Sequence, residues 1–321
     1  MKKLLYYLLY AVWWPLSLLP LRVHYFMADG LYLLVYRLLH YRVRIVRQNL
    51  ERSFPDHTEA ERQQIERRFY HWFCDYIVET VKLLTISQEQ LQRRMVFKGT
   101  DLIEQCVADG QSCAVYLGHY CNWEWITSLP LWVSPKAQCG QIYHALENPE
   151  FDRLFLGLRQ RFGAVCIPMA ETLRRLVMYK RQQRPVVIGY ISDQTPFWNN
   201  IHHWLTFLRQ DTPVLTGTER IATQTGHAVF YMDVQRLRRG YYEAEFKLIT
   251  REPKKMPEFA ITDAYFRLLE ATIDRDPAYW LWTHNRWKRT HEEFNVRYDP
   301  ATGRVSLDPD LEKLKRERGF T

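Results

Sequence analysis

Between residues 58 and 85, apolar side chains recur at helical spacing: Ile65, Phe69, Trp72, Phe73, Tyr76, Ile77, Val81 and Leu84. This predicts one long amphipathic helix whose aromatic stripe faces the core. Downstream the period changes. Short apolar runs at 95–97, 113–117, 138–144, 164–168 and 185–191 read as strands, and 101–108, 149–162 and 171–182 between them as helices. Such alternation predicts an α/β fold with parallel crossovers. A helix over 214–225, strands at 228–235 and 241–249, and a helix from Pro257 to near Asp274 follow. Residues 192–212 have no regular pattern and read as a long aromatic loop at the carboxyl end of a strand, where α/β folds hold ligands.

Upstream of the long helix, residues 4–21 form eighteen positions without a charge, interrupted by Pro15 and Pro20. Spanning a bilayer takes about 20 apolar residues, so this stretch predicts a membrane-anchoring helix that either crosses or lies in the interface. No small-x-small cleavage site precedes Arg22, Val23 and His24, which favours a retained anchor over a cleaved leader. Residues 25–41 are again apolar but contain Asp29 and Arg37, charges too costly for a lipid-spanning helix, and predict an interfacial one.

Charge sharpens this picture. Of the net +8, the first 52 residues carry +6, from eight basic and two acidic residues. Arginines 37, 42, 44, 47 and 52 outweigh Lys2 and Lys3, so the globular part is expected to face the cytoplasm. They either hold anionic headgroups or form a solvated helix face. A basic feature confined to one end argues against a nucleic-acid partner. The six cysteines, at 74, 106, 113, 121, 139 and 166, show no Cys-x-x-Cys pair and no zinc spacing; reduced thiols and no metal site are expected.

Gly-x-Ser-x-Gly, Gly-x-Gly-x-x-Gly, Walker and His-Glu-x-x-His signatures are all absent, which removes the usual hydrolase, dinucleotide, kinase and zinc-protease readings. What stands out is residues 113–125, Cys-Ala-Val-Tyr-Leu-Gly-His-Tyr-Cys-Asn-Trp-Glu-Trp. Gly118 breaks the strand, His119 leaves it, and Asn122 reads as the N-cap of a helix with Glu124 in its first turn. If the two side chains meet, the carboxylate holds one imidazole nitrogen and leaves the other as a general base. Spacing alone also fits a structural histidine.

The block from Leu117 to Trp125 resembles the His-x-x-x-x-Glu block of the bacterial lipid A biosynthesis late acyltransferases, the lauroyl and myristoyl transferases. Other blocks agree in order: Asn148-Pro149 followed by Arg159 and Arg161, Ser192-Asp193-Gln194, residues 207–219, and Trp282-Thr-His-Asn-Arg-Trp-Lys288. The similarity covers about residues 1–290. It implies a glycerolipid-acyltransferase-like α/β fold, a mixed sheet flanked by helices with an N-terminal membrane-anchoring helix, on the cytoplasmic face of the inner membrane. Residues 1–52 are then membrane anchor and basic interfacial segment, 53–290 the acyltransferase domain, and 291–321 a charged tail.

The resemblance also implies transfer of a fatty acyl chain from an acyl-carrier-protein thioester, or in some relatives acyl-CoA, to a hydroxyl of a lipid A precursor. No cofactor, metal or covalent enzyme intermediate is implied. His119 is the implied base and Glu124 its orienting partner, with a hydrophobic groove for the acyl chain beside them. Gly118 and Asn122 belong to the same block. The oxyanion is expected to meet backbone N–H groups after Gly118, or Arg159 or Arg161, although those arginines equally suit surface ion pairs. Asp193 and Gln194 order the loop, bind a headgroup or cap a turn. Arg286 and Lys288 meet phosphates of lipid A or of the carrier's prosthetic arm, or are solvated charge. One position departs from the family: relatives commonly have an arginine after the tyrosine of the strand before Asn-Pro, and here His144 follows Tyr143. Another acceptor, a lyso-aminolipid or glycolipid, therefore stays open, as does a non-catalytic scaffold that holds anionic lipid.

Overall fold

The computed structural model describes residues 2–320, and their side chains except those of residues 2–6, 8 and 9; the charges of Lys2 and Lys3 lie outside the described part. Five helices, α1 (Lys2–Leu18), α2 (Leu21–Tyr32), α3 (Val43–Ser53), α4 (Glu59–Lys82) and α5 (Gln88–Gln92), precede the first strand. Next come β1 (Met95–Lys98), α6 (Thr100–Ala108), β2 (Cys113–Leu117), β3 (Gln138–Tyr143), α7 (Pro149–Gln160), β4 (Val165–Pro168), α8 (Thr172–Arg181) and β5 (Val186–Ile191). A hairpin of β6 (His203–Phe207) and β7 (Gln210–Val214) leads to α9 (Gly217–Thr225), β8 (Ala228–Arg238), β9 (Tyr241–Thr250) and α10 (Ala260–Arg275). The tail holds α11 (His291–Arg297), β10 (Tyr298–Asp299), β11 (Arg304–Val305) and α12 (Leu311–Arg318).

Seven strands form one mixed sheet in the order β1-β9-β8-β2-β5-β3-β4, in which only the β8–β9 pair is antiparallel. Central β2 is buried at every position, as a parallel strand covered by helices on both faces requires. Helix α4 starts at a capping box, the Thr58 hydroxyl accepting from the Glu61 N–H and the Glu61 carboxylate from the Thr58 N–H. Its stripe of Ile65, Phe69 and Trp72 is buried as the spacing predicts.

Two expectations need correction. The loop over 192–212 contains the β6–β7 hairpin, turned through Leu208 and Arg209 with φ of 49° and 61°. Hairpin turns of that hand are signalled by Asn or Gly. Leucine and arginine carry no such signal, which is why the hairpin is invisible in the sequence.

The second concerns the N-terminal anchor. No described helix is long and apolar enough to cross a membrane. Helix α1 has 17 residues with Pro15 inside it, about 26 Å at 1.5 Å per residue, against a hydrocarbon core of about 30 Å. It is also fastened to the domain. Buried Lys82 donates to Ser17 O at 2.8 Å and Leu19 O at 2.9 Å, a cation on the last carbonyls of a helix, and Trp13 meets Phe155 of α7 edge-on at 6.0 Å. The 25–41 segment becomes α2 continued by a π-helical turn, Leu33–Leu38. Leu21, His24, Ala28, Tyr32 and Tyr36 form its buried face. Asp29 pairs with Arg239 at 2.7 Å.

Candidate active site

Strands β2 and β5 pair in parallel with Leu117 opposite Ile191. Extending that register two residues beyond both strand ends brings His119 opposite Asp193. The contact is double: the His119 backbone N–H donates to Asp193 Oδ2 at 2.8 Å, and its ring Nδ1 lies 2.6 Å from Oδ1. Trp280 Nε1–H adds a third bond to Oδ2 at 2.8 Å. Asp193 is 2% exposed, and burial alone would raise its pKa. The charge of His119 and the hydrogen bonds from His119 and Trp280 outweigh burial and hold it at about 2. An ionised Asp193 fixes the proton on Nδ1 and leaves the lone pair on Nε2. Nε2 lies 3.5 Å from the Gln194 side-chain amide, and the ring edge meets Trp123 at 5.1 Å.

The turn itself is clamped. Cys121 N–H donates to Tyr279 O at 2.9 Å, Leu281 N–H to His119 O at 3.1 Å, and Tyr120 bridges Trp280. Cys121 has φ of 53°, a conformation uncommon outside glycine that the clamp and complete burial hold. Gly118 leaves room rather than supplying an unusual φ: a Cβ there would be 2.7 Å from Leu269 Cδ1 and 3.3 Å from Asp193 Oδ2, so a side chain would displace the Leu269 methyl and press on the aspartate.

Asn122 is not the N-cap expected: the segment that follows is a 3-10 helix, Trp125–Leu131, whose N-cap is Glu124, and Asn122 Oδ1 instead closes the turn before it by accepting from the Trp125 N–H at 3.0 Å. Glu124 does not meet His119. Both its oxygens are taken by Arg159, Nε at 2.8 Å and Nη2 at 2.6 Å. Asp193 occupies the position expected for Glu124, because strand register delivers it directly opposite the histidine. Burial pulls the Arg159 pKa down, and its pairing with Glu124 more than reverses this. The backbone N–H groups of His119 and Cys121 are already engaged, by Asp193 and Tyr279.

The other expected site residues separate. Arg161 donates Nη1–H to Leu83 O at 2.8 Å and Ile86 O at 2.6 Å, tying the end of α7 to the end of α4. Arg286 is fully buried, donates to Pro213 O at 2.7 Å, and keeps Nε and Nη1 enclosed without a partner. Burial lowers its pKa to about 10 against the opposing charge of Asp193. It acts inside the protein, within the field of Asp193, and presents no atom to a ligand. Lys288 is exposed. Trp280 and His284 were missed as neighbours of the pair; His284 Nε2 accepts from the Thr195 N–H at 3.3 Å. Among the described residues no cluster of His, Cys, Asp and Glu is arranged to hold a metal. A basin of about 650 Å³ lined by Gln111, Lys180, Arg184 and His227 lies at the amino ends of β2, β5 and β8, the edge opposite His119.

These features define a class: a largely parallel α/β sheet that presents, at its carboxyl edge, a histidine held by a buried aspartate. Within that class the chain belongs to the bacterial lipid A biosynthesis acyltransferase family, whose description matches residues 1–289. It is 26% identical over 174 residues to the lipid A biosynthesis acyltransferase of Haemophilus influenzae, covering 54% of this chain and 53% of that one. It is also 26% identical over 136 residues to the lipid A biosynthesis myristoyltransferase of Escherichia coli, covering 42% and 41%. Lipid A biosynthesis acyltransferase 2 of Shigella flexneri is 21% identical over 136 residues, 42% of each chain. The matched part thus spans about half or less of each relative's length.

Proposed function

We propose that the protein transfers a fatty acyl chain from an acyl-carrier-protein thioester to a hydroxyl of a lipid A precursor, with His119 as general base and Asp193 as its orienting partner. The observation that carries this reading is the contact of His119 Nδ1 with Asp193 at 2.6 Å, which leaves Nε2 with only the Gln194 amide at 3.5 Å. An alcohol attacks a thioester well only if its proton leaves as the bond forms. The acceptor hydroxyl gives that proton to Nε2 while its oxygen bonds to the thioester carbonyl carbon, whose oxygen becomes an oxyanion. Collapse restores the carbonyl and breaks the C–S bond, and the departing sulfur takes the proton back from Nε2. Asp193 stabilises the imidazolium in between.

Arg159, held by Glu124 through Nε and Nη2, keeps its Nη1 hydrogens for the oxyanion. Exposed Leu146, Met169 and Leu173, shortly after the carboxyl ends of β3 and β4, support an apolar track for the acyl chain along the same edge. Exposed Trp14, Phe26, Leu33, Leu38 and Leu39 support attachment to the cytoplasmic face of the inner membrane by helices lying in the interface.

The test is acyl transfer by membranes containing the protein, with acyl-carrier-protein thioester and tetraacylated lipid A precursor, together with mass spectrometry of lipids from a deletion strain. Loss of one acyl chain from lipid A supports the reading. Exposed His144, at the position where the family resemblance implies an arginine, favours a second one, the same chemistry on a lyso-aminolipid or glycolipid. Unchanged lipid A with such a lipid missing would select it.

A further inference from the structure

One buried carboxylate near the site takes no part in proton transfer. Glu79 lies in the last turn of α4 and is fully enclosed, and three donors converge on its two oxygens. Tyr25 of α2 donates its hydroxyl to Oε1 at 2.9 Å, Tyr242 of β9 donates to Oε2 at 2.8 Å, and Asn122 Nδ2 donates to Oε2 at 2.6 Å. The backbone leaves room for this: Gly240, between β8 and β9 with φ of 72°, has no side chain, and a Cβ there would overlap the Tyr25 hydroxyl. Glu79 also accepts through its main chain, from the Trp125 indole N–H at 3.1 Å.

Asn122 and Trp125 belong to the turn that follows His119. The Asn122 amide has one orientation, because Oδ1 accepts from the Trp125 N–H at 3.0 Å and Nδ2 is left to face Glu79. Both residues are fully buried, so neither can exchange Glu79 for water. Between them stands Trp123, whose ring lies against Tyr76 of α4 at 4.1 Å and meets the His119 ring at 5.1 Å. Helix α4 thus grips the turn at Asn122, Trp123 and Trp125. An apolar side chain at position 79 would fill the space but strand the Asn122 amide, whereas a carboxylate accepts from all three donors.

We infer that Glu79 is a positioning residue for His119: by accepting from Asn122 it fixes the turn that holds Trp123 against the imidazole. The inference rests on the reading of His119 as general base. The test compares Glu79→Leu with Glu79→Gln, which keeps an acceptor for Asn122, in the full chain. Two readouts are taken on folded protein. One is steady-state acyl transfer, and the other is the Nδ1–H proton resonance of His119 in protein carrying isotope-labelled histidine, identified by its absence from His119→Ala. Glu79→Leu is expected to lower kcat by about tenfold to 10²-fold, the cost of a misplaced catalytic group, with KM for both substrates changed less than about twofold. It is also expected to shift or broaden the His119 resonance, and Glu79→Gln to recover the wild-type resonance and most of kcat. A purely structural role would lower the melting temperature of Glu79→Leu and leave the resonance of the folded protein where it was. That result overturns the inference, as does a loss of kcat in Glu79→Gln equal to that in Glu79→Leu. If Glu79→Leu does not fold, Asn122→Ser takes its place, since the serine hydroxyl still accepts from the Trp125 N–H but is too short to reach Glu79. A shifted resonance then upholds the inference and an unmoved one overturns it. If the wild-type protein does not acylate the lipid A precursor, the acyl-transfer reading fails separately, and the resonance comparison still decides.

Discussion

Asp193 lies opposite His119 because the two residues stand equally far beyond the paired ends of β5 and β2, and one strand register delivers both of Asp193's carboxylate oxygens to the histidine. This gives the first prediction. His119→Ala should lower kcat by about 10²–10⁴-fold, the usual size of a general-base contribution. Asp193→Asn, which keeps the shape but removes the charge that fixes the tautomer, should lower it by a comparable factor of about 10⁴. Glu124→Gln should lose less than Asp193→Asn. Single-turnover acyl transfer, with circular dichroism to confirm the fold, provides the comparison. A Glu124→Gln loss matching His119→Ala, beside an active Asp193→Asn, would return the orienting role to Glu124.

The Glu124–Arg159 pair is bidentate, with the carboxylate 2% exposed and the guanidinium 22% exposed. Removing one member strands the other. Arg159→Met should therefore cost about 3–5 kcal/mol by denaturant unfolding, and Glu124→Gln in the same chain should recover part of that loss. Additive losses in the double variant would show that the pair is not coupled.

Glu79 is fully buried beneath the site turn, accepting from Tyr25, Tyr242 and Asn122. Burial first, and the nearby Asp75 next, raise its pKa from 4.5 to about 7. The folded state therefore binds the proton more tightly than the unfolded chain does. The stability this contributes is complete below about pH 4.5 and is lost as pH rises toward about 7, by an amount on the order of 3 kcal/mol. Glu79→Gln, permanently neutral, should flatten stability across that window. Urea unfolding at a series of pH values tests it, and an unchanged slope in Glu79→Gln would contradict the assignment.

Phe26 and Leu38, 79% and 72% exposed, lie on the outer side of α2 and its π-helical extension. Replacing both with serine should weaken vesicle binding by about tenfold or more, since burying each such side chain contributes about 1.5–3 kcal/mol. The melting temperature should hardly move. Vesicle co-sedimentation compared with thermal unfolding separates these effects, and unchanged binding would remove this face from the membrane contact.

Local patterning determined much of this protein. The spacing of Ile65, Phe69 and Trp72, the capping signal of Thr58 and Glu61, and the alternation of apolar runs with helical segments follow from periodicity and hydrogen-bond chemistry within a few residues. The exit of His119 from β2 after Gly118 was legible for the same reason. Non-local choices were not. Whether Glu124 or Asp193 holds the imidazole depends on which strand neighbours β2, and Trp280 reaches Asp193 from 87 residues away. Arg286 and Lys288 look alike as charges two positions apart, yet packing encloses the first and leaves the second in solvent. The chain alone supplied the histidine and every candidate partner. Tertiary structure chose among them, because pairing in a parallel sheet brings distant strand ends together and burial decides which charges can meet a substrate.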